Sequence, residues 1–383
     1  MKTRLILDSK QLETIHKSIR VFGIAMTLIL ICSVPVQAQR FNRTPTPNDT
    51  LKSTEILENG DVVFRIYAPK AENVTLGGDV VPWGATLESK KSEIGVWSII
   101  VPKVSAGTYR YHFMVDGVKV YDPKAPDAYK TSALVSIPPE GDGTFFANRK
   151  DVPHGAVSTI QYYSSTTKSM RNMKVWTPAG YHKTNKKLPV LYLLHGGGDS
   201  EKAWPGVGRA GIIMDNLLAE GKITEMMVVM PDGGIDVNLF VEDFFNEIIP
   251  YIESNYNVYA DTEHRALAGL SMGGLEVLNS FMEKPDMFTY INVMSSGWFA
   301  NNKEMYANGD KRLAEINTTL NKTVKLLLFT QGGPEDIAYA NGKEMLKVFD
   351  KNGIEYEFSE MPGGHSWHVW RHDLKNFAPR LFK

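Results

Sequence analysis

Three textures of apolar and polar positions follow one another along the chain. From Val21 to Ile31 apolar side chains are almost continuous. From Leu51 to about Phe146, short runs alternate apolar with polar residues: Val62–Tyr67, Val74–Leu76, Val96–Val101 and Tyr109–Val115. A period of two places every second side chain on one face of a strand. Turn residues separate the runs, with hairpin signals at Asn59-Gly60-Asp61 and Asp116-Gly117. No segment there carries the helical period. The pattern predicts an all-β, immunoglobulin-like sandwich over residues 51–150, behind a Pro-, Thr- and Asn-rich linker over 39–50.

The texture changes after Asp151-Val152-Pro153-His154-Gly155. Wholly apolar runs at Leu188–Leu194, Met226–Met230 and Val324–Phe329 read as buried strands, and Glu355–Met361 as a last one. Between them, Glu242–Ser254, Gly274–Glu283 and Tyr339–Lys351 have helical spacing. Strands alternating with helices predict an α/β fold over 151–383, a mainly parallel sheet with helices on both faces.

Lys17 and Arg20 precede the leading apolar run, and Val36-Gln37-Ala38 follows it. A basic flank, a short apolar core and a small-x-Ala site predict a secretory signal peptide over 1–38. The run is about half of what a bilayer-spanning helix needs. An uncleaved anchor is the competing reading, and Met26 an alternative start. Cys32 is the only cysteine. Removal of the signal leaves none, so disulfides, thiol catalysis and cysteine-held zinc are not expected. An exported protein without disulfides suits a bacterial periplasm or exterior. The formal net charge of −1 gives no electrostatic case for nucleic acid. A neutral sugar polymer or small ester fits that balance better.

The chemistry centres on Gly269-Leu270-Ser271-Met272-Gly273. Arg265–Gly269 reads as a strand and Gly274 opens a helix. A serine on a sharp strand-to-helix turn flanked by small residues is a nucleophile elbow. A serine hydroxyl needs a neighbouring base at neutral pH, and this fold supplies the order serine, acid, histidine. Asp336 follows one late strand and His365 follows the last. Glu335 and Asp310, the latter read in a polar loop, compete for the acid role. His368 and His372 fall on the next helix and read as packing or surface groups. Two backbone N–H groups should face the developing oxyanion. One belongs to Met272 and the other to Gly197, with Gly196 as alternative, in His195-Gly196-Gly197-Gly198. His195 itself reads as structural. Trp204, Trp298 and Trp367 fall in loops at this end and are candidates for an aromatic acyl pocket. Asp232, just after a strand, is a candidate substrate contact or loop cap. Nothing in the scheme requires a metal or cofactor.

From Asp151 onward the chain resembles carbohydrate esterase family 1, the group of feruloyl and acetylxylan esterases and esterase D-like proteins. The resemblance rests on Leu194–Gly198, Asp215-Asn216-Leu217, Val228–Gly233, Glu247–Glu253, Gly269–Gly274, and Gly364-His365-Ser366-Trp367 with Trp370-Arg371. The family's Gly-x-x-Asp is matched by Gly333-Pro334-Glu335-Asp336, which favours Asp336 over Glu335. Phe64–Ala71, Val74–Asp79, Gly95–Ser98, Gly107–Tyr111 and Val115–Gly117 with Asp122-Pro123 resemble family 48 carbohydrate-binding modules. The pairing implies an exported esterase acting on decorated plant cell-wall xylan, most readily releasing ferulate. Acetylxylan esterase, an enterochelin esterase-like siderophore hydrolase and a non-catalytic glycan-binding protein are the alternatives. A siderophore site should show clustered Arg or Lys near its pocket, for which Arg209 and Arg371 are the candidates.

Overall fold

A computed structural model describes residues 43–383, apart from Trp83, Thr131, Pro139, Glu140 and Ala300 and the Asp142 side chain. The apolar run at 21–31, the signal reading and Cys32 lie outside the described residues. Residues 50–383 fold together.

Alternation builds the first half. Strand Val62–Tyr67 buries Val62, Phe64 and Ile66 and half-exposes Arg65 and Tyr67. Thr54–Ile56, Val62–Tyr67, Val96–Val101 and Lys90–Lys91 form one antiparallel sheet, in that order. The second sheet runs Leu87–Glu88, Val74–Gly78, Gly107–Val115, Ser132–Ile137 and Ala128–Tyr129. Phe64, Val74, Leu76, Tyr111 and Phe113 pack between them.

The second half is an eight-stranded sheet, with strands β1 (Ala156–Ser164), β2 (Ser169–Thr177), β3 (Val190–Leu194), β4 (Met227–Pro231), β5 (Arg265–Leu270), β6 (Tyr290–Met294), β7 (Leu326–Gln331) and β8 (Glu357–Glu360). Their order is β1-β2-β4-β3-β5-β6-β7-β8. The first two strands are antiparallel and the rest parallel. Both faces are covered, which is why the parallel strands read as unbroken apolar runs. Along β3, Leu191 and Leu193 enter one core while Tyr192 and Leu194 enter the other. This is an α/β-hydrolase sheet behind an all-β domain.

The helices are α1 (Ala210–Ala219), α2 (Val237–Asp243), α3 (Ile249–Asn255), α4 (Met272–Glu283), α5 (Lys303–Thr323), α6 (Tyr339–Lys351) and α7 (Trp367–Phe377). A π-helical turn, Phe244–Ile248, joins α2 to α3, so the expected single helix is three pieces. Asp310 lies within α5, where a loop was expected, and pairs with Lys351 and Asn352. The two halves share packing. Tyr129, Leu134, Phe145 and Phe146 belong to the same core as Trp176, Met214 and Trp370. Asn216 Nδ2 donates to the carbonyls of Phe145 and Ala147, each at 2.9 Å.

Candidate active site

Ser271 occupies the turn between β5 and α4 with φ 53° and ψ −118°. A non-glycine residue at positive φ costs on the order of 1–3 kcal/mol and persists only where its surroundings enforce it. Here they do. Ser271 N–H donates to Met294 O at 2.9 Å, and the Ser296 hydroxyl donates to Ser271 O at 2.6 Å. The neighbouring glycines let backbones close in. A Cβ on Gly273 would strike the His195 carbonyl, and one on Gly274 would lie 2.5 Å from Ser296 Cβ.

Asp336 follows β7 and His365 follows β8, so both reach the sheet edge that carries Ser271. His365 Nε2 lies 2.9 Å from Ser271 Oγ, and His365 Nδ1 lies 2.7 Å from Asp336 Oδ1. The Ala338 N–H donates to Asp336 Oδ1 at 2.8 Å. Burial alone would raise the Asp336 pKa, but hydrogen bonds from His365, Ser295 and the Ala338 amide outweigh it and hold it below the usual carboxylate range. An ionised Asp336 fixes the proton on Nδ1 and leaves Nε2 free to accept from the serine. The competitors sit elsewhere. Glu335 Oε1 accepts from Gly363 N–H at 3.1 Å and braces the two loops. His368 and His372 lie on α7 with their rings in tilted contact, and His372 is edge-on to Phe145.

The loop after β3 runs beside the serine. A Cβ on Gly197 would stand 3.0 Å from Met272 Cγ, and one on Gly196 would stand 3.1 Å from Ser271 Cβ. Glycines here let the loop backbone close on the Leu270, Ser271 and Met272 side chains. His195 is buried and holds the loop: its Nδ1 lies 2.8 Å from Gly196 O, and its Nε2 accepts from Gly233 N–H at 2.9 Å. Asp232, 3.3 Å from His195 Nε2, also accepts from Gly234 N–H at 3.1 Å. It is thereby tied into the loop after β4.

Three tryptophans expected in an acyl pocket are core residues instead. Trp204 is fully buried, donates to Leu194 O at 2.9 Å and meets Trp367 edge-on. Trp367 packs on Trp370, whose ring is edge-on to His365, so it supports the histidine from below. Trp298 is also fully buried, and Gly309 makes room for its ring. It walls a separate cleft of about 720 Å³ with Asn238, Asn279 and Asn302.

The cavity at Ser271 is about 130 Å³ and is lined by Met272, Leu275, Ser295, Ser296, Gly297, Phe299, Ile337, Ala338, Asn341 and His365. Phe299 and Ile337 stand out because they are 42% and 66% exposed. Among the described residues, no Lys or Arg lines it. Arg371 is buried beneath the sandwich strand at Gly107, with its guanidinium over the Phe146 ring.

The sheet and the strand-end site define an α/β-hydrolase of esterase type. Residues 164–381 match the family described as "Putative esterase", and the chain belongs to it. Residues 50–132 match carbohydrate-binding module 48, the isoamylase N-terminal domain. The chain is 33% identical over 342 residues to an endo-1,4-beta-xylanase/feruloyl esterase of Xylanibacter ruminicola, covering 84% of this chain and 44% of that protein. It is 28% identical over 239 residues to endo-1,4-beta-xylanase Y of Acetivibrio thermocellus, covering 55% and 22%. The chain thus spans less than half the length of these relatives. A solved ferulic acid esterase superposes with a TM-score of 0.53 at 29% identity, covering 59% of this chain and 98% of that one. The enterobactin esterase FES of Shigella flexneri shares the fold at 14% identity, with a TM-score of 0.62 over 85% of this chain and 94% of that one.

Proposed function

We propose that the protein is an exported serine carboxylic ester hydrolase that removes feruloyl-type groups from arabinoxylan-like plant polysaccharide. The observation that carries this reading is the hydrogen-bonded run Asp336–His365–Ser271 beneath a mouth flanked by exposed Phe299 and Ile337. Ser271 Oγ attacks the ester carbonyl as His365 Nε2 takes its proton. The amides of Gly197 and Met272 face the carbonyl oxygen as it becomes an oxyanion. Collapse breaks the ester C–O bond, and His365 returns the proton to the departing sugar alcohol. Water, deprotonated by the same histidine, then attacks the acyl-serine; the acid leaves and Ser271 regains its proton.

The acyl group is inferred from size and surface. A cavity of about 130 Å³ is well below the roughly 300 Å³ or more that encloses a drug-sized ligand. It holds the reacting carbonyl and leaves a planar aryl group against Phe299 and Ile337. The feruloyl esterase name carried by the Xylanibacter ruminicola relative supports the same choice, and a pocket lined by no Lys or Arg among the described residues argues against an anionic siderophore. Export rests on the apolar run at 21–31 and its flanks. The test compares release of ferulate and acetate from arabinoxylan by the purified protein. Ferulate should dominate, and Ser271→Ala should release neither. Acetate release alone would replace the feruloyl reading with an acetylxylan esterase.

A further inference from the structure

The oxyanion loop is held from outside the hydrolase. Beyond Gly197 it turns through Gly198, at φ 75°, with Asp199 N–H donating to Gly196 O at 3.3 Å. Two cations of the β-sandwich close on this turn. Lys130 Nζ donates to Gly198 O at 2.6 Å and to Asp199 O at 2.8 Å. Arg110 pairs through Nη1 with the Asp199 carboxylate, while its Nε and Nη2 bind Asp79 at 2.7 and 3.1 Å. Both cations lie over the Tyr129 ring, at 5.7 and 5.8 Å, and the Tyr129 hydroxyl is 3.2 Å from Ser200 Oγ.

We infer that Arg110 and Lys130 are positioning residues for ester hydrolysis, fixing the turn that presents the Gly197 N–H. The sandwich is then a working part of the catalytic apparatus. The inference rests on the reading of Gly197 as an oxyanion donor. Asp199 is nearly buried, and its carboxylate is met by an arginine already anchored on Asp79. Such a charge-assisted, doubly anchored contact is stiff. Lys130 takes up carbonyls on the outer side of the turn, leaving the inner amides to the substrate. Oxyanion stabilisation depends on donors being in place before charge develops, so loosening the turn should tax the chemical step more than substrate binding.

The test uses the full chain and 4-nitrophenyl acetate, a substrate too small to need glycan binding. Arg110→Met, Lys130→Met and the double variant should lose about tenfold to a hundredfold in kcat, with KM within about threefold. Affinity for an aryl trifluoromethyl ketone, which forms a tetrahedral oxyanion on the serine, should fall in parallel with kcat/KM. Arg110→Lys should recover part of the loss. Lys130 is exposed, so Lys130→Met keeps the inference testable even if Arg110→Met fails to fold. A kcat within about twofold of the parent in Lys130→Met and in every Arg110 variant that folds, or a change in KM alone, overturns it. Ser271→Ala and Gly197→Pro separate the two readings. Activity surviving both removes the serine esterase reading, whereas activity lost in both but kept in the cation variants removes only the clamp.

Discussion

Asp336 shows how much one side chain is asked to do. Its carboxylate orients His365 and stays ionised because donors surround it, despite burial. Asp336→Asn keeps the shape but reverses the hydrogen-bond preference at Nδ1. The expected outcome is a fall in kcat of about 10⁴-fold at neutral pH with the fold intact, read by steady-state kinetics beside thermal melting. Phe299 and Ile337 make a second prediction. Truncating both to Ala should raise KM for a hydroxycinnamoyl ester about tenfold or more and leave an acetyl ester nearly unchanged. An equal effect on both esters would mean that neither side chain touches the acyl group. Phe299, beside Trp298, and Ile337, beside Asp336, were not legible in the sequence, because a single apolar residue in a loop carries no pattern that tells an exposed position from a buried one. The positions of Ser271, Asp336 and His365 were legible because each sits at a strand end in a short motif whose spacing is local. The tryptophans misled for the opposite reason: their loops are polar in sequence, but the rings turn inward.

The strand–turn–helix of β5 and α4 works only if its glycines stay bare. Gly273→Ala would press a methyl group into the His195 carbonyl, which is backbone and cannot swing away. Activity should fall by at least about a hundredfold, with a loss of stability on the order of 1–3 kcal/mol by denaturant titration. Wild-type kinetics in this variant would mean that the His195 loop can retreat without consequence for the site. Helix α5 marks the other limit of sequence reading. Its buried residues, Gly309, Leu313, Ile316 and Leu320, recur at helical spacing. Asn, Thr and Lys dominate the rest of the segment, and a glycine holds one core position, so the stripe is thin. The β1–β2 hairpin is similarly faint, with Met173 and Val175 buried amid Ser, Thr and Asn.

Across the whole molecule, two buried acids away from Ser271 shape stability against pH. Burial pushes the Asp373 pKa up to about 7, with the Thr330 hydrogen bond opposing and the Asp336 charge adding. Burial also raises Glu276, helped by nearby Asp232 and opposed by Arg171. A folded pKa above the unfolded one means that the native state holds the extra proton, so stability falls as pH rises between the two values and then levels off. For Asp373 that window runs from about 4 to about 7. Asp373→Asn should flatten melting temperature across it, and a slope as steep as the parent's would place the titrating group elsewhere. The broad order of an alternating β half and an α/β half was legible in the textures. Contacts between those halves were not, since they join residues far apart in the chain.

Tyr129, Leu134, Phe145 and Phe146 sit in the hydrolase core although they come before residue 151. The covalent chain therefore has no harmless place to be cut near that point. A fragment starting at 151 would leave an oily socket where four side chains used to be. It should bind apolar dyes and aggregate, and heating the intact protein should give a single calorimetric peak with no separate melting of the sandwich. In gene rearrangements the same socket would penalise exchange of this chain's front half for a module that cannot fill it.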